Sequence, residues 1–176
     1  MQLEGKDLFM EKEIIKEIRG YIKQGNLEGV KNVLNNHPEL LFTETPFGTW
    51  LEMAAAQGKK DIVHFFIDSG VDVNKSCGVS DGGPVKAASF RGHLDILKIL
   101  YNNGAILDVS TAAKNPLFAA IYNGHFDIVK FLVENGIDYK ASYKIGSIEN
   151  CDAYEYARQY GRTEIAEYLK EKMNEK

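Results

Sequence analysis

Apolar residues recur along this chain at helical spacing, and glycines cut the pattern into short lengths. Ile96, Leu97, Leu100 and Tyr101 fall at i, i+1, i+4 and i+5, one stripe of an amphipathic helix. Gly104 follows and supplies the left-handed turn that ends it. Upstream, "PVKAASFR" reads as a shorter helix with proline in its first turn, where the missing N–H costs nothing. Its small Ala87 and Ala88 let a paired helix approach closely. "NPLFAAIYNG" and "GTWLEMAAAQG" repeat the shorter helix elsewhere.

The two-helix pattern is periodic. "GHLDILKILYNNG" at 92–104 returns as "GHFDIVKFLVENG" at 124–136, with eight of thirteen positions identical. The leading glycine recurs at Gly25, Gly58, Gly92, Gly124 and Gly161, at intervals of 33, 34, 32 and 37 residues. An acidic residue follows three positions later each time: Glu28, Asp61, Asp95, Asp127 and Glu164. A closing glycine ends the central units at Gly70, Gly104 and Gly136. A lone helix pair of this length cannot bury its apolar side, so neighbouring pairs must stack. The spacing therefore predicts an all-α array of about five helix-turn-helix units in one domain, 1–176, with units near 7–37, 44–70, 78–104, 110–136 and 150–172. The end units are atypical, as capping requires. The first sets Phe9, Ile14, Ile15, Ile18 and Ile22 on one side of a charged helix, and the last has the thin stripe Ile165, Tyr168 and Leu169.

"NPLFAAIYNGHFDIVKFLVENGID", "GPVKAASFRGHLDILKILYNNGA" and "MAAAQGKKDIVHFFIDSGVDVN" resemble the ankyrin-repeat family over roughly residues 15–172. The resemblance implies a solenoid of helix pairs linked by extended β-turn fingers. The family's T-P-L-H opening is reduced here to "TWLE", "GPVK", "NPLF" and "DAYE", so Glu52, Lys86, Phe118 and Glu155 stand in place of its histidine. For His93 and His125, directly after the helix-initiating glycines, the resemblance implies a structural role at the helix start.

Composition narrows the chemistry. No run of eighteen apolar residues could span a bilayer, and the charged N-terminus lacks a signal peptide's apolar core, so a cytoplasmic chain without membrane contact is expected. Cys77 and Cys151, far apart in sequence, fit free thiols in a reducing compartment. A net charge of −4 argues against nucleic acid as a partner. No histidine stands at i, i+4 to another histidine or to a cysteine, and no nucleophile elbow or phosphate-cradling glycine motif occurs. Asp95 and Asp127 complement the positive ends of their helix dipoles rather than forming a catalytic pair. The expectation is a protein without enzyme activity, cofactor or metal.

Positions that escape the period are free for function. The pair before each leading glycine holds Lys23–Gln24, Ala56–Gln57, Phe90–Arg91, Tyr122–Asn123 and Gln159–Tyr160. In the family resemblance these lie on the concave face and commonly touch partners, and aromatic residues and arginine dominate interface hot spots. The alternative is that one or two of these rings pack between units. Trp50 stands where proline is expected at a helix entry, beside Phe47 on its finger. The expected patch is Trp50, Phe90, Arg91, Tyr122 and Tyr160, rimmed by Glu52, Lys86, Asn123 and Glu155. The longer fingers after Gly70 and Gly136 add Asp81, Tyr139 and Tyr143, as extensions of the surface or as neutral drift in loop length.

The partner expected is another protein, met by a chain that is monomeric when free. A stand-alone array with degenerate openings, "NPLFAAIYNGH" and "DAYEYARQYGRTEIAEYL", resembles bacterial ankyrin proteins encoded beside polymorphic toxins. That resemblance implies an immunity protein that occludes a toxin domain. A general interaction adaptor, or an effector holding a different protein, is the alternative.

Overall fold

Glycine, proline and short polar side chains decide where each helix of this protein starts and stops. The computed structural model describes residues 4–78 and 82–175. Among them are five successive helix pairs: α1 (Glu4–Gln24) with α2 (Leu27–Asn36), α3 (Trp50–Ala56) with α4 (Lys60–Asp68), α5 (Gly83–Arg91) with α6 (Leu94–Asn102), α7 (Pro116–Asn123) with α8 (Phe126–Glu134), and α9 (Ala153–Gln159) with α10 (Thr163–Asn174). Asn26, Thr49, Asn115 and Asp152 cap helix starts, each side chain accepting a backbone N–H of the first turn. Pro84 and Pro116 sit in first turns, and α5 and α7 end on Gly92 and Gly124, both left-handed.

The pairs form two rows. In one row α1 packs on α3, α3 on α5, α5 on α7 and α7 on α9. In the other, α2 packs on α4, α4 on α6 and α8 on α10. Alanines fill the first row: Ala54, Ala55, Ala88, Ala119, Ala120, Ala153 and Ala157 are all buried, and this lets the short helices lie close together. A single apolar cluster runs from Ile18 and Ile22 in α1 to Ile165 and Leu169 in α10. No helix among the described residues is long and apolar enough to cross a membrane.

Fingers join the pairs and are tied to one another. Asp72, Asp108 and Asp138 each accept a backbone N–H two residues on, which turns the chain locally. Asn74 donates to the Gly104 carbonyl and accepts from the Ile106 N–H, stitching one finger to the next. The last finger is the longer one after Gly136. It folds into an antiparallel hairpin, β1 (Tyr143–Ile145) and β2 (Ile148–Cys151), turning at Gly146 with φ of 58°. The first finger is also irregular, beginning with a 3-10 turn at Pro38–Leu40 in place of a glycine-closed exit.

Candidate functional site

Because the short helices lie side by side, residues at the same place in the repeat meet across them. Phe90 and Tyr122, each two positions before its glycine, stack with centroids 6.1 Å apart and planes at 14°. Tyr160, which follows α9, meets Tyr122 at 4.9 Å and 66°. Tyr156 continues the row, 4.7 Å from Tyr160 and stacked on Phe118 at 4.3 Å and 19°. The row is graded in depth. Phe118 is only 3% exposed, whereas Phe90, Tyr122 and Tyr160 are 38%, 43% and 43% exposed. Burial, reinforced by the neighbouring Tyr160, pushes the Tyr156 phenol far above its ordinary pKa, so this ring stays neutral. Rings held from beneath lose little side-chain freedom when a partner covers them.

The backbone under this row is held by the following unit. The His125 ring N–H donates to the Phe90 carbonyl at 3.2 Å, and the Arg162 guanidinium donates to the Tyr122 carbonyl at 2.5 Å. The imidazole crosses directly over Gly92, where any Cβ would come within 2.7 Å of it. His93 covers Gly58 in the same way, at 2.8 Å. These contacts account for a histidine immediately after the glycine, and they fix the carbonyls of two ladder residues.

Beside the ladder, a groove of about 410 Å³ opens between α1, α3, α5 and the first finger. Ile22, Met53, Ala56 and Ala87 supply apolar lining, with Phe47 and Phe90 as aromatic sides. Arg19, Lys23, Lys86 and Arg91 line it with positive charge. The Arg19 guanidinium lies 4.1 Å over the Phe47 ring, and that of Arg91 lies 5.7 Å from the Phe90 centroid.

Several expected site residues stand elsewhere. Trp50 is not on the surface: it is 1% exposed, and its indole N–H donates to the Leu40 carbonyl at 2.8 Å. Its ring packs where the irregular first finger leaves space. Glu52 lines the groove but is 4% exposed, so it is not a solvated rim. Tyr139 and Tyr143 turn inward. The Tyr139 hydroxyl donates to the Lys172 carbonyl at 3.1 Å, and that of Tyr143 donates to the Val109 carbonyl at 2.6 Å while accepting from Asn115. These internal bonds hold the longer finger in order without a partner. Asp81 lies outside the described residues. Phe90, Arg91, Tyr122, Tyr160 and Phe47 are exposed, and Lys86, Asn123 and Glu155 are half-buried beside them. Glu155 accepts from Arg158 and Gln159 on its own side of α9.

Arg19, Met53 and Tyr156 were missed in the sequence. Arg19 stands six residues before Gly25, as Glu52 and Lys86 stand before Gly58 and Gly92. Extending that register by one unit would have found it. Among the described residues no cluster of three or more His, Cys, Asp or Glu could hold a metal ion.

Residues 51–143 and 85–176 match a family model described as ankyrin repeats, in three copies. The chain belongs to the ankyrin-repeat family. Over 95 residues it is 32% identical to the Ankyrin repeat and SAM domain-containing protein 6 of Rattus norvegicus, covering 53% of this chain and 10% of that protein. This chain thus spans about a tenth of the relative's length, and the likeness carries over nothing else of it. The ankyrin match includes α3 to α10 and leaves α1 and α2 ahead of it. Ankyrin repeats make the chain a protein-interaction module, and no catalytic family is indicated.

Proposed function

We propose that this protein is a non-enzymatic ankyrin solenoid of five units, α1 and α2 included, that grips another folded protein with the face carrying Phe90, Tyr122 and Tyr160. The observation that carries this reading is the row of exposed rings that runs across three neighbouring units and ends, through Tyr156, on the buried Phe118. Exposed aromatics in a preordered row are what interface hot spots require. The closer packing of the alanine-rich helix row supports curvature toward that side. A standard interface takes about 800 Å² from each partner, and a face reaching from Phe47 to Tyr160 suits that size.

The finer role proposed is that of an immunity protein, monomeric when free, that neutralises a toxin domain by covering it. The degenerate openings described above support it. Rigid occlusion suits this role, because little ordering entropy opposes binding.

The test is capture of the partner by the intact chain, followed by titration of variants. An immunity protein returns one dominant, stoichiometric toxin and protects cells that express it. Phe90→Ala and Tyr122→Ala each weaken that complex by about 2 kcal/mol, or roughly thirtyfold in Kd, with the unfolding midpoint unchanged. Undiminished binding by both variants rejects this face as the binding surface. A captured protein that is not toxic leaves the adaptor or effector role in place of immunity.

A further inference from the structure

We infer that the groove between α1, α3 and α5 receives a segment of the partner in which carboxylates flank an apolar anchor side chain. The inference rests on the reading of the array as a protein-binding module and adds the chemistry of what the module binds.

The groove carries a charge opposite in sign to the molecule. The chain has 25 acidic against 21 basic residues, yet four cations line this groove against one carboxylate, the buried Glu52. Two of the chain's four arginines stand here. Elsewhere on the surface several cations are met by acids, as in Lys16–Glu13, Lys31–Glu28, Lys144–Glu149 and Arg158–Glu155. Among the described residues, none of Arg19, Lys23 and Arg91 has a carboxylate within ion-pair distance.

Both guanidiniums are placed against rings, Arg19 on Phe47 and Arg91 near Phe90. An aromatic neighbour orients a guanidinium without neutralising it and leaves N–H donors for a planar acceptor. A carboxylate takes such a fork through two parallel hydrogen bonds. Apolar lining from Ile22, Met53, Ala56 and Ala87 lowers the local dielectric once water is displaced, which strengthens the attraction.

The occupant is therefore an acidic polypeptide segment and not a nucleic acid. Pockets of about 300–1,000 Å³ enclose a drug-sized ligand, and 410 Å³ accommodates an anchor side chain with its flanking carboxylates. A phosphate polymer would have to run onward over a molecule of net charge −4. The apolar lining would also gain nothing from phosphate.

The test uses a displayed random peptide library panned on the intact wild-type chain, with recovered peptides synthesised and titrated at low and physiological salt. Peptides rich in Asp and Glu beside Leu or Phe are expected. Their affinity falls with salt, and by about tenfold or more on the double variant Lys23→Glu/Arg91→Glu. Both residues are exposed, and the Arg19–Phe47 contact is left intact, so an unaltered unfolding midpoint accompanies the loss. Arg19→Gln gives a smaller loss in the same direction. Peptides without acidic bias, undiminished binding by the double variant, or preference for a single-stranded DNA oligonucleotide overturn the inference. Peptides weakened by Tyr122→Ala but not by the charge reversal leave the protein-binding reading standing and remove this one. If no peptide is recovered and no protein is captured, both fall.

Discussion

At position 50 an indole stands where the later short helices have Pro84, Pro116 and Ala153 in their first turns, each eight residues before its glycine. All four side chains are buried, so this is an interior position of the folded repeat. Trp50 breaks the repeat by filling space, since the 3-10 turn at Pro38–Leu40 replaces a regular finger exit and presents the Leu40 carbonyl to the indole. Trp50→Ala is expected to cost about 3–5 kcal/mol through the cavity and the lost indole hydrogen bond, read from urea unfolding. Trp50→Phe should cost less, because most of the bulk remains. The same register reasoning explains the overlooked Arg19. It aligns with Glu52 and Lys86, but its unit begins with a long helix whose start gives no turn signal. Deviation from a repeat points to function only where the position is also exposed, and exposure was not legible at Trp50 or Arg19.

Helix pairs and their boundaries were legible because caps, prolines and glycines act within a few residues of where they stand. At Gly58 and Gly92 the glycine before the second helix has a further duty that local sequence conceals. Gly92 has φ of 81°, and its missing Cβ makes room for the His125 ring of the next unit. Gly92→Ala combines backbone strain with that collision, so a loss of roughly 2 kcal/mol or more is expected. Thermal unfolding should show it as a drop of several degrees. An equal melting point would mean that the imidazole moves aside freely. From the sequence the hairpin at β1 and β2 reads only as an elongated finger. Its cues, Tyr143 and Ile145 alternating with lysine ahead of a Gly-Ser turn, are too short to outweigh the helical period. Long-range contacts settle it: Tyr143 meets the Phe118 ring edge-on at 5.2 Å and bonds to Val109 and Asn115.

Across the whole molecule the array acts as one apolar stack with ionisable groups packed into it. Burial is the first cause raising the pKa of Tyr143, Tyr156 and Tyr168, and of both thiols, Cys77 and Cys151. An acid that holds its proton more tightly when folded contributes stability below its unfolded pKa. That contribution is lost as pH rises toward the folded value. Urea midpoints are therefore expected to decline above about pH 8.5, where unfolded thiols ionise, and more steeply above about pH 10, where phenols follow. A midpoint that stays constant through pH 11 would show that these groups are not buried in solution.

By itself the sequence determined the period, the helix pairs and their stacking, because each signal is local or repeats at a constant interval. Membership of the ankyrin family follows from that regularity. The sequence also marked Phe90, Tyr122 and Tyr160 as residues the period does not need. Only the tertiary structure decided which free rings face solvent and which turn inward, how Phe90, Tyr122, Tyr160, Tyr156 and Phe118 join into one row, and that Arg19, Lys23 and Arg91 gather at one groove beside α1. Those outcomes depend on close approach between residues more than thirty positions apart. The distance and rotation between neighbouring units are fixed jointly by all the side chains packed between them.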